Sequence, residues 1–318
     1  SFFLSPLIDN LTTALVMCAV VLAVGKGNKS FIGISCINIV VAANAGGAFS
    51  PFGDITTLMV WQKGHIAFQE FFALFIPSVV NYLVPAIIMS LVIKNEKPQV
   101  SAEQVVMKRG AKRIIALFFL TILTAISFHN FLHLPPFLGI VTGLSYLKFF
   151  GYYLRKTHIV LAQDKPTYGQ VGDVSAFDSY REVARAEWDT LLFFFGVIMC
   201  VGGLGFIGYL AQLSNYLYLE LGPTMANILV GIFSAILDNI PIMVAVLQMD
   251  PDMHANQWLL VTLTAGVGGS MLSIGSAAGV ALMGQARGIY TFFGHLKWTP
   301  VIALGYGLSI WVHLLINT

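Results

Sequence analysis

Apolar residues run through this chain in long blocks, and the short polar interruptions between and inside them give it its character. Leu11 to Val24 is one such block, but its 14 residues would make a helix of only about 21 Å, short of a hydrocarbon core of about 30 Å. It is predicted as one arm of a re-entrant hairpin with Asp9-Asn10 at the tip. After a polar turn, Gly25 to Lys29, the next block opens at Phe31 and reaches a stretch that cannot stay helical: Asn44-Ala-Gly-Gly-Ala-Phe-Ser-Pro-Phe-Gly-Asp-Ile-Thr-Thr57. Gly46, Gly47, Ser50, Pro51 and Gly53 remove helix propensity and one backbone donor, so a helix is predicted to break there and to resume until near Trp61. Lys63 and His65 mark a loop, and Phe68 to Ile93 reads as a full span kinked at Pro77 and Pro85.

The chain turns polar and basic from Lys94 to Arg113, and two spans follow, Ile114 to Phe128 and Leu134 to Leu154. In the charged connection Arg155 to Glu187, the spacing of Val174, Phe177, Ala184 and Trp188 predicts an amphipathic helix at the membrane surface. Thr190 to Leu213 is predicted as a span. Pro223 to Leu237 and Ile240 to Met249 are short arms around Asp238-Asn239, a second re-entrant hairpin. The loop Asp250 to His254 leads into a second broken helix, Trp258 to Gln285, and Thr299 to Ile316 is the last span.

These interruptions repeat. Gly268-Gly269 through Gly275-Ser276 matches Gly46-Gly47 through Gly53-Asp54 glycine for glycine, 222 residues apart, and Asp238-Asn239 matches Asp9-Asn10. Paired interrupted segments in two halves point to a secondary transporter with its site between the repeats. Residues 1–93 are read as the first inverted repeat and 94–318 as the second. By comparison with the second, the first is expected to lack roughly 135 residues upstream, and Ser1-Phe-Phe-Leu is expected to lie mid-protein. Positive charge supports the topology: with 94–113 cytoplasmic, alternation puts 15 of the 17 lysines and arginines inside, and Lys148 sits near the inner end of its span.

Composition fixes the class. The 318 residues are 57% hydrophobic and only 10% charged, with a mean hydropathy of +0.80, which describes an all-α polytopic membrane protein. A net charge of +2 gives no support for a nucleic-acid partner. Cys18, Cys36 and Cys200 lack metal-ligand spacing and read as packing residues; no cofactor is implied. His65, His129, His133, His254 and His295 fall in or beside loops, where solvated histidine is expected.

The polar residues at the interruptions are the candidate site, since a charge inside a bilayer costs at least ~2.5 kcal/mol even on insertion scales. Asp9, Asp54 and Asp238, the carboxamides of Asn10 and Asn239, the hydroxyls of Ser5, Thr12, Thr56, Thr57, Ser273 and Ser276, and freed carbonyls form an all-oxygen set suited to a hard cation such as Na⁺ or Li⁺, with Asp9 and Asp54 as its acids. The threonines and serines equally suit the capping of broken backbone. The two copies are unequal: an acid at 54 is replaced by Ser276.

The Asp-Asn tips, Ser50-Pro-Phe-Gly-Asp-Ile-Thr-Thr57 and Gly268-Gly-Ser-Met-Leu-Ser-Ile-Gly-Ser276 together closely resemble the NhaD-type sodium/proton antiporters of the ion transporter superfamily. The resemblance covers essentially the whole chain. It implies inverted repeats that each hold a re-entrant hairpin and an interrupted helix, a homodimer with elevator-like motion, and Ser5, Asp9, Asn10, Asp54, Thr56, Thr57, Asp238, Asn239, Ser273 and Ser276 as the functional set. The chain is read as a sodium (or lithium)/proton antiporter of a bacterial inner membrane, with cation and proton competing for the carboxylates by alternating access. Two other functions match parts of the pattern. An anion carrier of the same superfamily, moving dicarboxylates or arsenite, is disfavoured because acids stand at the tips. An intramembrane aspartyl protease, suggested by Phe52-Gly53-Asp54, is disfavoured because Pro51 stands where its motif needs glycine, and no Tyr-Asp partner exists. The chain is therefore read as a transporter and not an enzyme.

Overall fold

The structure is a computed structural model, and it describes residues 1–25, 28–93, 109–157 and 188–317. The predicted amphipathic connector falls outside these residues. All regular structure among them is helical. We number the helices α1 Ser5–Ile8, α2 Asn10–Val24, α3 Lys29–Ala48, α4 Ile55–Lys63, α5 Phe75–Ser90, α6 Ala111–Leu132, α7 Pro136–Lys156, α8 Trp188–Phe206, α9 Tyr209–Ser214, α10 Pro223–Leu237, α11 Asn239–Met249, α12 Ala255–Gly268, α13 Ala277–Gln285, α14 Phe292–Leu296 and α15 Thr299–Ile316.

Among the described residues, five helices are long and apolar enough to cross a membrane: Lys29–Ala48, Phe68–Ser90, Ala111–Leu132, Pro136–Leu154 and Thr299–Ile316. A bent pair, Leu191–Phe206 with Tyr209–Glu220, would make a sixth. The expected span 190–213 is corrected here. Its helix ends at Phe206, Gly208 takes φ +89, and the chain turns by 81° before α9 continues into a π-helical turn, Asn215–Glu220. Glycine signals this turn, since β-carbons disfavour that conformation.

Packing separates the chain into two compact units, Ser1–Ser101 with Leu192–Thr318, and Ala102–Leu191. In the first unit the broken helices form the core. The apolar window of α3 is 78% buried, against 11% for α6, so α3 is enclosed by protein while α6 presents its apolar residues outward. Around α3 pack α2, α5, α12 and α13, and α5 packs along α15. In the second unit α6 and α7 form an antiparallel pair that meets at Ala125, Gly139 and Gly143, where small residues permit close approach. The long apolar helices, with exposed residues such as Phe149, Phe206 and Trp311, mark an integral multi-pass membrane protein.

Candidate functional site

The site is built from helix ends. α1 and α2 meet at Asp9 (φ 78, ψ 162), and α10 and α11 meet at Asp238 (φ 69, ψ 146), so each tip turns on an aspartate in the positive-φ region. Such a conformation costs free energy in a non-glycine residue, and Asp tolerates it because its carboxylate bonds to the helix it opens. Asp9 Oδ1 accepts from Thr12 N at 2.8 Å and Oδ2 from Thr12 Oγ1 at 2.8 Å, while Asp238 Oδ1 accepts from Asn239 N at 2.9 Å. At the breaks, Asp54 (φ −149, ψ 151) caps α4 and Ser276 (φ −151, ψ 149) caps α13.

Glycine lets the breaks close on the tips. A β-carbon on Gly46 would lie 2.2 Å from Phe2 O, and one on Gly268 would lie 2.1 Å from Gly231 O. Matching hydroxyls lock the same approach: Ser5 Oγ donates to Ala43 O at 2.6 Å, and Ser234 Oγ to Ala265 O at 2.7 Å. The two copies therefore share backbone angles, glycine contacts and a hydrogen bond, position by position.

Asp54 is the centre. It is 3% exposed, and its Oδ2 accepts from Asn10 Nδ2 at 2.7 Å and Asn239 Nδ2 at 2.8 Å, one carboxamide from each tip. Oδ1 accepts from Thr56 N at 3.1 Å. Asn10 Nδ2 also donates to Asn44 Oδ1 at 3.0 Å, and Asn44 Nδ2 to Ser276 Oγ at 3.0 Å, so one polar chain joins both breaks and both tips. Thr56 Oγ1 is buried beside the Asp54 carboxylate. Among the described residues no group of three or more His, Cys, Asp or Glu converges, and the single contact of ion-pair geometry is His65 with Asp250, which is ionic only when the histidine is protonated. The central carboxylate thus has amides, hydroxyls and backbone around it but no cationic side chain.

The other expected site residues are placed differently. Thr57 Oγ1 donates to Ser50 O at 2.8 Å and Asp54 O at 2.7 Å and so holds broken backbone, whereas Thr12 Oγ1 donates to the Asp9 carboxylate. Ser273 Oγ lies 3.5 Å from Met283 Sδ. Asp9 and Asp238 are half-buried at the tips and make no hydrogen bond to Asp54.

Two residues central to the network were not singled out in the sequence. Asn44 looked like part of a helix breaker, although an amide inside an apolar helix is itself a signal. Ser234 stands four residues before Asp238 as Ser5 stands four before Asp9, so the repeat alone marks it. His295 is a correction. It is fully buried, with Nδ1 2.8 Å from Tyr290 Oη and Nε2 2.9 Å from Ser270 O, tying the second break to the loop that follows α13. Its place beside a loop misleads because the short helix α14 that carries it binds the backbone of the second break.

The sequence model of the citrate transporter family matches residues 1–266. The whole chain is 61% identical to the Na(+)/H(+) antiporter NhaD of Vibrio cholerae, covering 69% of that protein. It is 62% identical to NhaD of Vibrio parahaemolyticus over 96% of this chain and 76% of that protein. It is 32% identical to sodium/proton antiporter 1 of Arabidopsis thaliana, covering 54% of it. These relatives are named as transporters, not enzymes. With its two Asp-Asn tips, two glycine breaks and buried acid, the chain belongs to the family of the NhaD sodium/proton antiporters.

Proposed function

We propose that this protein exchanges Na⁺ or Li⁺ for H⁺ across a bacterial inner membrane, with cation and proton alternating at a site centred on Asp54. The observation that carries this reading is a carboxylate 3% exposed whose side-chain hydrogen-bond donors are the two amides Asn10 and Asn239. A buried carboxylate without a cationic partner is costly, and a proton or a small hard cation relieves that cost. Asp54, the carboxamide oxygens of Asn10 and Asn239, Thr56 Oγ1 and Ser276 Oγ supply oxygen donors, with Asp9 and Asp238 adding charge at the tips. Asn44 holds Asn10 and Ser276 in register. Acids at these positions would repel a carboxylate substrate, which disfavours anion transport.

Alternating access follows from the two copies. The matched tips and breaks are read as inverted repeats, residues 1–93 and 94–318, with re-entrant hairpins opening from opposite faces, and the protein as a homodimer working by elevator-like motion. An empty, ionised site would carry its charge unpaired through the bilayer, which blocks uncoupled return.

Competition for one carboxylate makes half-saturating Na⁺ rise as pH falls, approaching tenfold per pH unit for each displaced proton. Transport by the protein in vesicles at several pH values tests this. An affinity unchanged across the active range would mean separate sites for Na⁺ and H⁺.

A further inference from the structure

We propose that the unit formed by α6 and α7 carries a binding site for the phosphate group of an anionic phospholipid, held by Arg109, Lys112 and Arg113. The start of α6 and the end of α7 lie at the same end of the pair and flank an open cavity of about 400 Å³ lined by Arg109, Gly110, Lys112, Arg113, Tyr153 and Leu154. Three cations therefore face one cavity.

The backbone arranges them. Gly110 takes φ +89 and passes close over the end of α7, where a β-carbon would lie 3.2 Å from Leu154 Cδ1 and 3.2 Å from Phe150 Cζ. This sharp turn places Arg109 before the helix and Lys112 and Arg113 in its first turn. Arg109 is anchored: its Nη1 donates to Thr157 O at 2.9 Å and Nη2 to Thr157 Oγ1 at 3.2 Å, tying it to the end of α7. Among the described residues none of the three forms a salt bridge. Clustered cations repel one another, and a phosphate between them removes that repulsion with charge-assisted hydrogen bonds.

The surroundings select a lipid over a free phosphate. Both helices are candidate spans that end at this cavity, so it stands where the hydrocarbon gives way to headgroups. Below it, exposed Ile114, Ile115 and Phe149 offer an apolar surface for acyl chains. Tyr152 and Tyr153, also exposed, suit the interface, and Lys156 Nζ stands 5.4 Å over the Tyr152 ring as a further cation at the rim. Inorganic phosphate has nothing to place on those residues.

The test uses the full chain in neutral detergent, with native mass spectrometry and thermal unfolding measured against added phosphatidylglycerol or phosphatidylcholine. Phosphatidylglycerol is expected to be retained and to raise the melting temperature, phosphatidylcholine to do so much less, and Arg109→Gln/Lys112→Gln/Arg113→Gln to lower phosphatidylglycerol affinity at least about tenfold. Lys112→Gln and Arg113→Gln singly, which leave the Arg109 anchor intact, should each weaken it severalfold and keep the test valid if the triple variant does not fold. Equal retention by the variants and the parent would overturn the proposal. Displacement of the lipid by millimolar inorganic phosphate would also overturn it, because the cavity would then be a soluble-phosphate site.

Discussion

Asp54 is held by two amides that come from tips 229 residues apart in sequence, and each partner has a different expected effect when changed. Asp54→Asn removes the charge and keeps the size. Half-saturating Na⁺ should rise about 100-fold or more, the scale of losing one partner of a buried charge pair at ~3 kcal/mol, while membrane insertion is unaffected. Exchange at the parental level by this variant in everted vesicles would remove Asp54 from the site. Asp9→Asn should also lose exchange, despite making no hydrogen bond to Asp54, because its charge stands at the tip. Ser234→Ala removes a buried hydrogen bond to Ala265 O and should cost about 1–2 kcal/mol of stability. Ser5→Ala, its counterpart, should cost about the same. Unequal melting-temperature losses would show that the two copies do not share this lock.

At the scale of elements, the glycine repeat was legible because backbone contact forbids any alternative: a β-carbon at Gly46 or Gly268 would meet a carbonyl oxygen. Gly268→Ala should therefore destabilise strongly, by roughly 1–3 kcal/mol, through overpacking. The short helices that meet at Asp9 and Asp238 and the breaks were legible from block length and glycine. The 81° turn after Phe206 carries no polar break and is marked only by Gly208, and the burial of His295 was hidden by its place in a short helix beside a loop. The loop after α4 carries a pH effect of its own. His65 stacks on Trp258 at 3.8 Å and 9°, and burial lowers its pKa below the ordinary value although Asp250, 3.4 Å away, opposes this and Lys63 adds to it. A histidine whose folded pKa is lowered resists protonation in the folded state, so its contribution is present above the unfolded pKa and is lost as pH falls. Acidifying from pH 7 to about 5 should therefore destabilise the parent more than His65→Gln. Equal acid sensitivity of the two would refute this.

For the whole molecule, the class was legible from composition and the transport reading from four interruptions, but not the bridge between them. Asn44 joins the two copies through Ser276, and no local pattern announces a contact between residues 232 apart. The membrane topology is open to a direct check. In a background with exposed Cys200 changed to Ser, Asp252→Cys should react only with reagent added outside and Arg287→Cys only with reagent added inside. Reaction of both from one side would overturn the crossing of the second broken helix, and reversed sidedness of both would overturn the hairpin before it.

The central claim is that one buried carboxylate set takes either a cation or a proton. Adding Na⁺ to the purified, weakly buffered protein near neutral pH tests it most directly, since binding must then expel protons. The account predicts proton release that saturates with Na⁺, requires higher Na⁺ at lower pH, and is lost in Asp54→Asn. Saturable Na⁺ binding without proton release at any pH, or undiminished release from Asp54→Asn, would contradict it.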